Sequence, residues 1–378
     1  MLTLEASPVE TAPVRVLDGP EVQSVRDGLK RVGCAFTDLA KLDAAALAGC
    51  RVLILSGTEP PVSRADAPTL ARFVEAGGAV LAVGGGGKRL LELGLFDARG
   101  YYMTGKTVHL STIEAYHRIT FGYPGDVPGD DWKRGVYFLV RATDGPLMEV
   151  GPNATPILSA GGPYSLAAVQ RLGKGRLLII GADPQANNGE KGTDRLLANS
   201  VAFLLDPYGN QIPNSGFEEH TDLPPAQSNW TVTTRGGASS EWRKTGAAEG
   251  ETCLKLTSDG AEDVVEVQPT CPIAVEPGER YTFSCQYRAT ASWKVSLELL
   301  KRADRSGILG SVSGSPSFEA GERTEATVPP SPEWKRFEVA LTVPADVRYV
   351  RPVLAIERKG ELLLDALALA LKGDPDRQ

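Results

Sequence analysis

Three histidines, five cysteines and one run of four glycines bound the chemistry open to this chain. Nucleophilic catalysis needs a nucleophile, a base and a group that orients the base. His109 and His117 lie in stretches of strand-like alternation with Glu114 between them, and His220 falls at a junction. Glu114, His117 and Asp183 are the residues from which a site would have to assemble, and their spacing gives no reason for convergence. Ordinary hydrogen-bonded histidines are the expectation. Ser56 and Glu59 follow an apolar run, where α/β folds bind ligands, although turn and cap duties account for them equally.

The glycine run, Gly84-Gly85-Gly86-Gly87, stands between Ala79–Val83, which reads as a buried strand, and 88–93, which reads as the start of a helix. A turn of that kind normally presents a Ser or Cys at a sharp elbow. Here it offers backbone amides alone, suited to an anion at a helix N-terminus or to tight strand–helix packing. A phosphate loop would follow Gly87-Lys88 with Ser or Thr, but Arg89 stands there, and only Gly19 follows the first strand. No nucleotide is expected. Cys34, Cys50, Cys253, Cys271 and Cys285 show no Cys-x-x-Cys spacing, so buried free thiols are expected, with one bridge in the second half left open.

These residues must be positioned by a chain of 378 residues, 42% hydrophobic, long enough for two cores. The balance of 40 basic against 47 acidic side chains, a formal charge of -7, argues against nucleic acid as a partner. No apolar stretch is long enough to cross a bilayer. Residues 1–10 lack a basic segment followed by an apolar one; a secreted or cell-surface location stays open if a leader has been removed.

Strand and helix signals alternate in the first half: strands at 14–17, 51–56 and 175–181, helices at 20–32, 65–76 and 194–205, and less regular strands near 106–110, 135–140 and 156–159. That rhythm predicts a parallel sheet covered on both faces. Turn formers fill 205–214. Beyond them, strand-like segments at 253–257, 264–267, 281–288, 293–299, 334–341, 350–356 and 362–369 predict a two-sheet sandwich. Pro352 suits an edge or bulge, and 307–332, rich in Ser, Gly and Pro, reads as a substrate-facing loop. The expected division is an extension at 1–12, an α/β domain at 13–206, a linker at 207–213, a β-sandwich at 214–371 and a tail at 372–378.

The element order, the glycine elbow and the segment 173–184 make the first half resemble the class I glutamine-amidotransferase-like fold, closest to ThuA-like proteins and β-galactosidase trimerisation-type domains. The catalytic family carries Cys at the elbow and His then Glu after the late strand; this chain has Gly85 or Gly86 and Ala182-Asp183-Pro184. The resemblance implies a three-layer domain without amidotransferase activity, and allows a homo-oligomer through it.

Asn214-Ser-Gly-Phe-Glu218, 250–256, 275–283, Glu333-Trp334-Lys-Arg-Phe337 and 364–369 make the second half resemble carbohydrate-binding jelly rolls of families 4, 9 and 22. The resemblance implies a structural calcium at Glu218 and Asp365, and a core place for Trp334. A sugar needs an exposed aromatic beside polar partners. Trp293 is the first choice, with Tyr287, Trp242 and Trp230 as companions and Arg288, Gln286 and Glu298 near it. The combined expectation is α/β plus all-β: a non-catalytic accessory or assembly protein that binds a polysaccharide or oligosaccharide, or the terminal part of a glycan-active enzyme. The alternative is a carbohydrate hydrolase using Glu114, Asp130, Asp131 or Asp183.

Overall fold

The structure, a computed structural model, describes residues 13–19, 22–57, 62–101, 107–121, 138–142, 145–160, 163–181, 192–219, 221–222, 224–225, 228–260, 263–302 and 318–372. Its first elements are Val14–Leu17 (β1), Gln23–Arg31 (α1), Thr37–Leu39 (β2), Val52–Leu55 (β3), Ala67–Glu75 (α2), Ala79–Val83 (β4) and Gly85–Glu92 (α3). Ala98–Tyr101 (β5), Thr107–Ile113 (β6), Phe138–Ala142 (β7), Leu147–Val150 (β8), Ala154–Ser159 (β9), Tyr164–Leu172 (β10), Gly175–Ile180 (β11) and Gly192–Leu205 (α4) complete the first half.

Five strands run parallel in the order β2-β1-β3-β4-β11, and β10, β9, β6 and β7 extend the sheet antiparallel. Alternation along each parallel strand divides the apolar side chains between two cores. Val52, Ile54, Leu81, Leu178 and Ile180 pack with Leu29 of α1 and Val201 of α4, while Leu53, Leu55, Val80, Leu177 and Ile179 pack with Leu70 of α2 and Leu90 of α3. Helices therefore cover both faces, because both faces of these strands are apolar. The long hairpin β10–β11, whose first strand escapes the sequence reading, is joined at Gly173, where φ is +60°.

The second half comprises Trp230–Arg235 (β12), Ser239–Arg243 (β13), Cys253–Ser258 (β14), Val264–Pro269 (β15), Ile273–Ala274 (β16), Arg280–Ala289 (β17), Trp293–Arg302 (β18), Phe318–Val328 (β19), Ser331–Thr342 (β20), Tyr349–Ile356 (β21) and Gly360–Leu371 (β22). They form two sheets, β12-β15-β21-β18-β19 with β16 beside β21, and β13-β14-β22-β17-β20. Trp230, Trp293, Phe283, Leu354 and Leu364 fill the space between them.

Two expectations change here. Pro352 is on neither an edge nor a bulge: β21 is central, flanked by β15 and β18. β15 pairs no further than Leu354 and β16 begins at Val350, so Pro352 occupies the gap between two partners, where its missing N–H costs nothing. Within the expected loop 307–332, residues 318–328 form β19, which pairs with β18.

The two halves are stitched together. Glu114 N–H donates to Ile157 on β9, Tyr116 N–H donates to Pro272, and Ala274 N–H donates back to Tyr116. The segment expected as a linker also has partners, since Gln211 N–H donates to Leu369 of β22. Beside this seam Arg176 of β11 grips Glu276 through two bonds, Nε–Oε1 at 2.5 Å and Nη2–Oε2 at 2.9 Å, with both residues buried. Arg171 and Glu279 form a second ion pair across it.

Replacing Glu276 by Ala strands the buried guanidinium and is expected to cost about 3–5 kcal/mol, whereas the pair Arg176→Met with Glu276→Leu costs far less. Denaturant unfolding followed by tryptophan fluorescence checks this, and equal losses for the single and double variants would contradict it.

Candidate functional site

The carboxyl ends of the parallel strands are where an α/β fold places chemistry, and among the described residues the glycine elbow after β4 is tightly packed. Gly84 caps α3 at φ 55°, a conformation suited to glycine, and its N–H donates to Ile180. A Cβ on Gly86 would stand 2.3 Å from the Leu55 carbonyl oxygen, and one on Gly87 2.6 Å from Ile179 Cγ2. Gly84 to Gly87 are all buried. The anion-binding use of this loop is thus corrected: it packs the helix onto β3 and β11. The steric constraint is carried by Gly84, through its positive φ, and by Gly86 and Gly87, through close contacts.

Glu114 and His117 lie on one segment at the seam, and each has its own set of partners. Glu114 is 0% exposed; Arg302 Nη2 donates to its Oε2 at 3.2 Å and Tyr349 OH to its Oε1 at 3.2 Å. His117 accepts the Ile119 N–H on Nδ1 and stacks edge-on against Phe203 at 4.4 Å. Burial, with Arg118 and Arg176 nearby, lowers its pKa to about 3, so it is a neutral ring. Ser56 is buried. Glu59, Asp130, Asp131, Asp183 and His220 lie outside the described residues, as does the side chain of His109. The five cysteines are free thiols; burial pushes Cys50 up to about 11 and Cys285 up to about 12.

In the sandwich, strand alternation sorts the aromatic residues. Trp293 is 1% exposed, its ring 5.2 Å from Tyr287 and 5.9 Å from Phe337. Tyr287 is 5% exposed. Both belong to the core, which corrects their assignment as a platform. Trp230 is buried against Phe217, and Trp242 is half-buried, 5.6 Å from the same ring. Glu298 lies on the outer side of the other sheet, between Arg323 and Arg351.

Trp334, expected in the core, is instead partly exposed on the outer face of the five-stranded sheet. The pairing of β17 with β20 shows why. Cys285 faces Phe337 and Tyr287 faces Lys335; the register then shifts, and Ala289 faces Ser331. Alternation from the inward-facing Phe337 turns Trp334 outward, just before the irregularity. Its indole N–H donates to Gly246 at 3.2 Å, and the Arg288 guanidinium lies 5.7 Å from its ring centre. Gln286 faces Arg336 further along the same outer face, and Arg336 donates to Ser284 Oγ at 3.2 Å. Arg288 is thus the expected site residue that stays on a ligand-accessible face.

Glu218 and Asp365 converge beside the turn at 246–252. Glu218 Oε1 accepts the N–H groups of Glu251 and Thr252, and a Cβ on Gly250 would stand 2.2 Å from that oxygen. Asp365, 0% exposed, accepts from Ala248, Glu249 and Ala366. Burial raises its pKa, backbone N–H bonds oppose that, and the Glu218 charge raises it further. The non-glycine residues with positive φ among those described, Asn214, Phe217 and Ala366, all surround this spot. Two converging carboxylates under such loops fit an oxygen-loving cation, although no group of three or more His, Cys, Asp or Glu forms among the described residues.

Residues 209–359 match a family model described as a carbohydrate binding domain, which supports a carbohydrate-binding role for this half. No curated protein matches the chain. Among solved structures, the enzymatically active domain of bacteriophage CBA120 tailspike protein 4 is 15% identical with a TM-score of 0.35, over 44% of this chain and 22% of that one. The CBM22-1 xylan-binding domain from Paenibacillus barcinonensis Xyn10C is 16% identical with a TM-score of 0.26, over 41% of this chain and 92% of its own. TmCBM61, solved with beta-1,4-galactotriose, is 16% identical with a TM-score of 0.30, over 43% of this chain and 99% of its own. The chain thus spans about a fifth of the tailspike domain's length.

A Gly86→Cys variant supplies the missing thiol but forces a side chain against the Leu55 carbonyl. It is expected to lose about 1–3 kcal/mol of stability and to release no ammonia from glutamine. Ammonia release above background, by this variant or by the unaltered protein, would contradict the reading of a closed scaffold.

Proposed function

We propose that this chain is a non-catalytic carbohydrate-recognition protein that holds a glycan on the outer face of its five-stranded sheet, with Trp334 as the platform. The observation that carries the reading is the one partly exposed tryptophan braced by both Gly246 and Arg288, within the stretch that matches the carbohydrate binding domain. A pyranose ring has an apolar face rimmed by hydroxyls. An indole supplies the matching surface, and Gln286, Arg288 and Arg336 supply polar partners along adjoining strands. The α/β half is then a scaffold of the glutamine-amidotransferase-like type: five parallel strands between helix layers, with glycine where a nucleophile would stand. Catalysis by Glu114 is disfavoured by its ion pair with Arg302, since glycoside hydrolysis needs carboxyl groups open to the substrate.

Trp334→Ala is expected to weaken binding of a soluble polysaccharide by roughly thirtyfold, about 2 kcal/mol, with the melting temperature little changed. Trp293→Ala is expected to lower the melting temperature sharply by opening a core cavity. Affinity electrophoresis beside calorimetry separates the two, and binding that survives loss of Trp334 would overturn the platform.

Glu218 and Asp365 are further proposed to hold a calcium ion that ties the 214–218 turn to the 246–252 turn. Calcium would supply the positive charge that offsets two neighbouring carboxylates. The raised pKa of Asp365 sets the sign: its stabilising contribution is complete below the unfolded value near 3.8 and is lost as pH rises through the higher folded value. Metal-free protein is therefore expected to melt lower at neutral pH than in the acid range on account of this group. Added calcium is expected to raise the melting temperature at neutral pH, and identical melts with calcium and with chelator would refute the site.

A further inference from the structure

The outer face around Trp334 carries an uneven set of charges. Lys255 is neutralised by Glu361 at 2.8 Å, and Arg336 Nε lies 3.3 Å from Glu338. Glu218 and Asp365 are turned toward backbone amides at 246–252 rather than toward side-chain cations. Apart from the exposed Arg280 at the start of β17, Arg243 and Arg288 are left. Both are half-buried, and neither makes an ion pair or a hydrogen bond with any described residue.

They project from one face, on strands separated by β14 and β22. Arg243 on β13 stands opposite Cys253 on β14, and Arg288 on β17 stands opposite Leu363 on β22, so both side chains project from the outer face. Both guanidiniums are near enough to the Cys253 thiol to lower its pKa, against the burial that raises it. A half-buried guanidinium has lost water without gaining an anion, which is an incomplete arrangement for a group that binds carboxylates and sulfates through a planar fork. The Trp334 ring beside Arg288 provides the apolar side of the same surface.

Resting on the carbohydrate-binding reading above, we infer that the ligand is an anionic glycan whose acidic group is received by Arg288 and Arg243 while a sugar ring lies on Trp334. The shared chemistry is a negatively charged oxygen group on a sugar, either the carboxylate of a uronic acid or a sulfate ester. Arg280, also on this face, is exposed at the start of β17, away from Trp334, so the two half-buried arginines set the preference for charge.

The test uses the full chain with four probes: polygalacturonate, its carboxyl-reduced form, dextran sulfate and uncharged dextran. Tighter binding of polygalacturonate than of its reduced form identifies a carboxylate, and tighter binding of dextran sulfate than of dextran identifies a sulfate; either supports the inference. The preference is expected to weaken with added salt, and the acidic-to-neutral affinity ratio to fall by about tenfold in Arg243→Gln/Arg288→Gln. Arg243→Lys/Arg288→Lys, which keeps the charge, is expected to retain part of it, and circular dichroism and melting check that each variant is folded. Equal binding of charged and neutral probes, or a preference untouched by the glutamine variant, overturns the inference and leaves the glycan reading standing. No binding of any probe overturns both.

Discussion

One extended segment, Ile113 to His117, passes backbone hydrogen bonds from the sheet of the first half into the six-stranded sheet of the second. Ile113 is in register with Leu158 on β9, and three residues later Tyr116 bonds to Pro272 and Ala274 beside β16. Main-chain bonds in a buried seam leave little rotational freedom. The charged groups around them follow the same constraint: Glu114 must meet Arg302 and Tyr349, and Arg176 must meet Glu276, because each would otherwise be an uncompensated buried charge. The carboxylate that looks like a catalytic acid in the sequence, Glu114, is thereby committed to holding the halves together.

That commitment leaves the outer face of the five-stranded sheet as the surface with recognition chemistry. The interior between the two sheets is filled by large aromatic side chains, and alternation along β20 sets Trp334 on the opposite side from Phe337. A second irregularity, in β22 between Asp365 and Ala368, brings a carboxylate to the turn that also receives the Trp334 indole N–H. The proposed recognition surface and the proposed cation site therefore share one loop, 246–252. Loss of order in that loop would loosen both.

Alternation makes much of the architecture legible in the sequence. The stretches at 14–17, 51–56, 79–83 and 175–181 mark four of the five parallel strands, and seven sandwich strands fall at the stretches that the alternation predicts. Where it stops being legible has physical reasons. β10 reads poorly because Ala167 and Ala168 are small and Gln170 interrupts its apolar pattern, although all three are buried. The platform is misplaced because residue type does not say which way a strand faces. Tyr287 and Arg288 are neighbours and must project to opposite faces, so they could never share a site. Trp334 turns outward because it alternates with the inward-facing Phe337, Val339 and Leu341 of the same strand, a pattern hidden by the expectation that placed it in the core. Glu114 reads as a free carboxylate until Arg302, 188 residues away, is placed beside it.

The most direct test of the account is a nitrogen–proton correlation spectrum of the indole groups during titration with an acidic polysaccharide fragment. Each tryptophan reports its own surroundings through its ring N–H. The account predicts a progressive shift of the Trp334 signal, with the Trp293 and Trp230 signals unmoved inside the core. Movement of Trp293 with a stationary Trp334 would contradict it, because a ligand would then have reached the space between the sheets rather than the outer face.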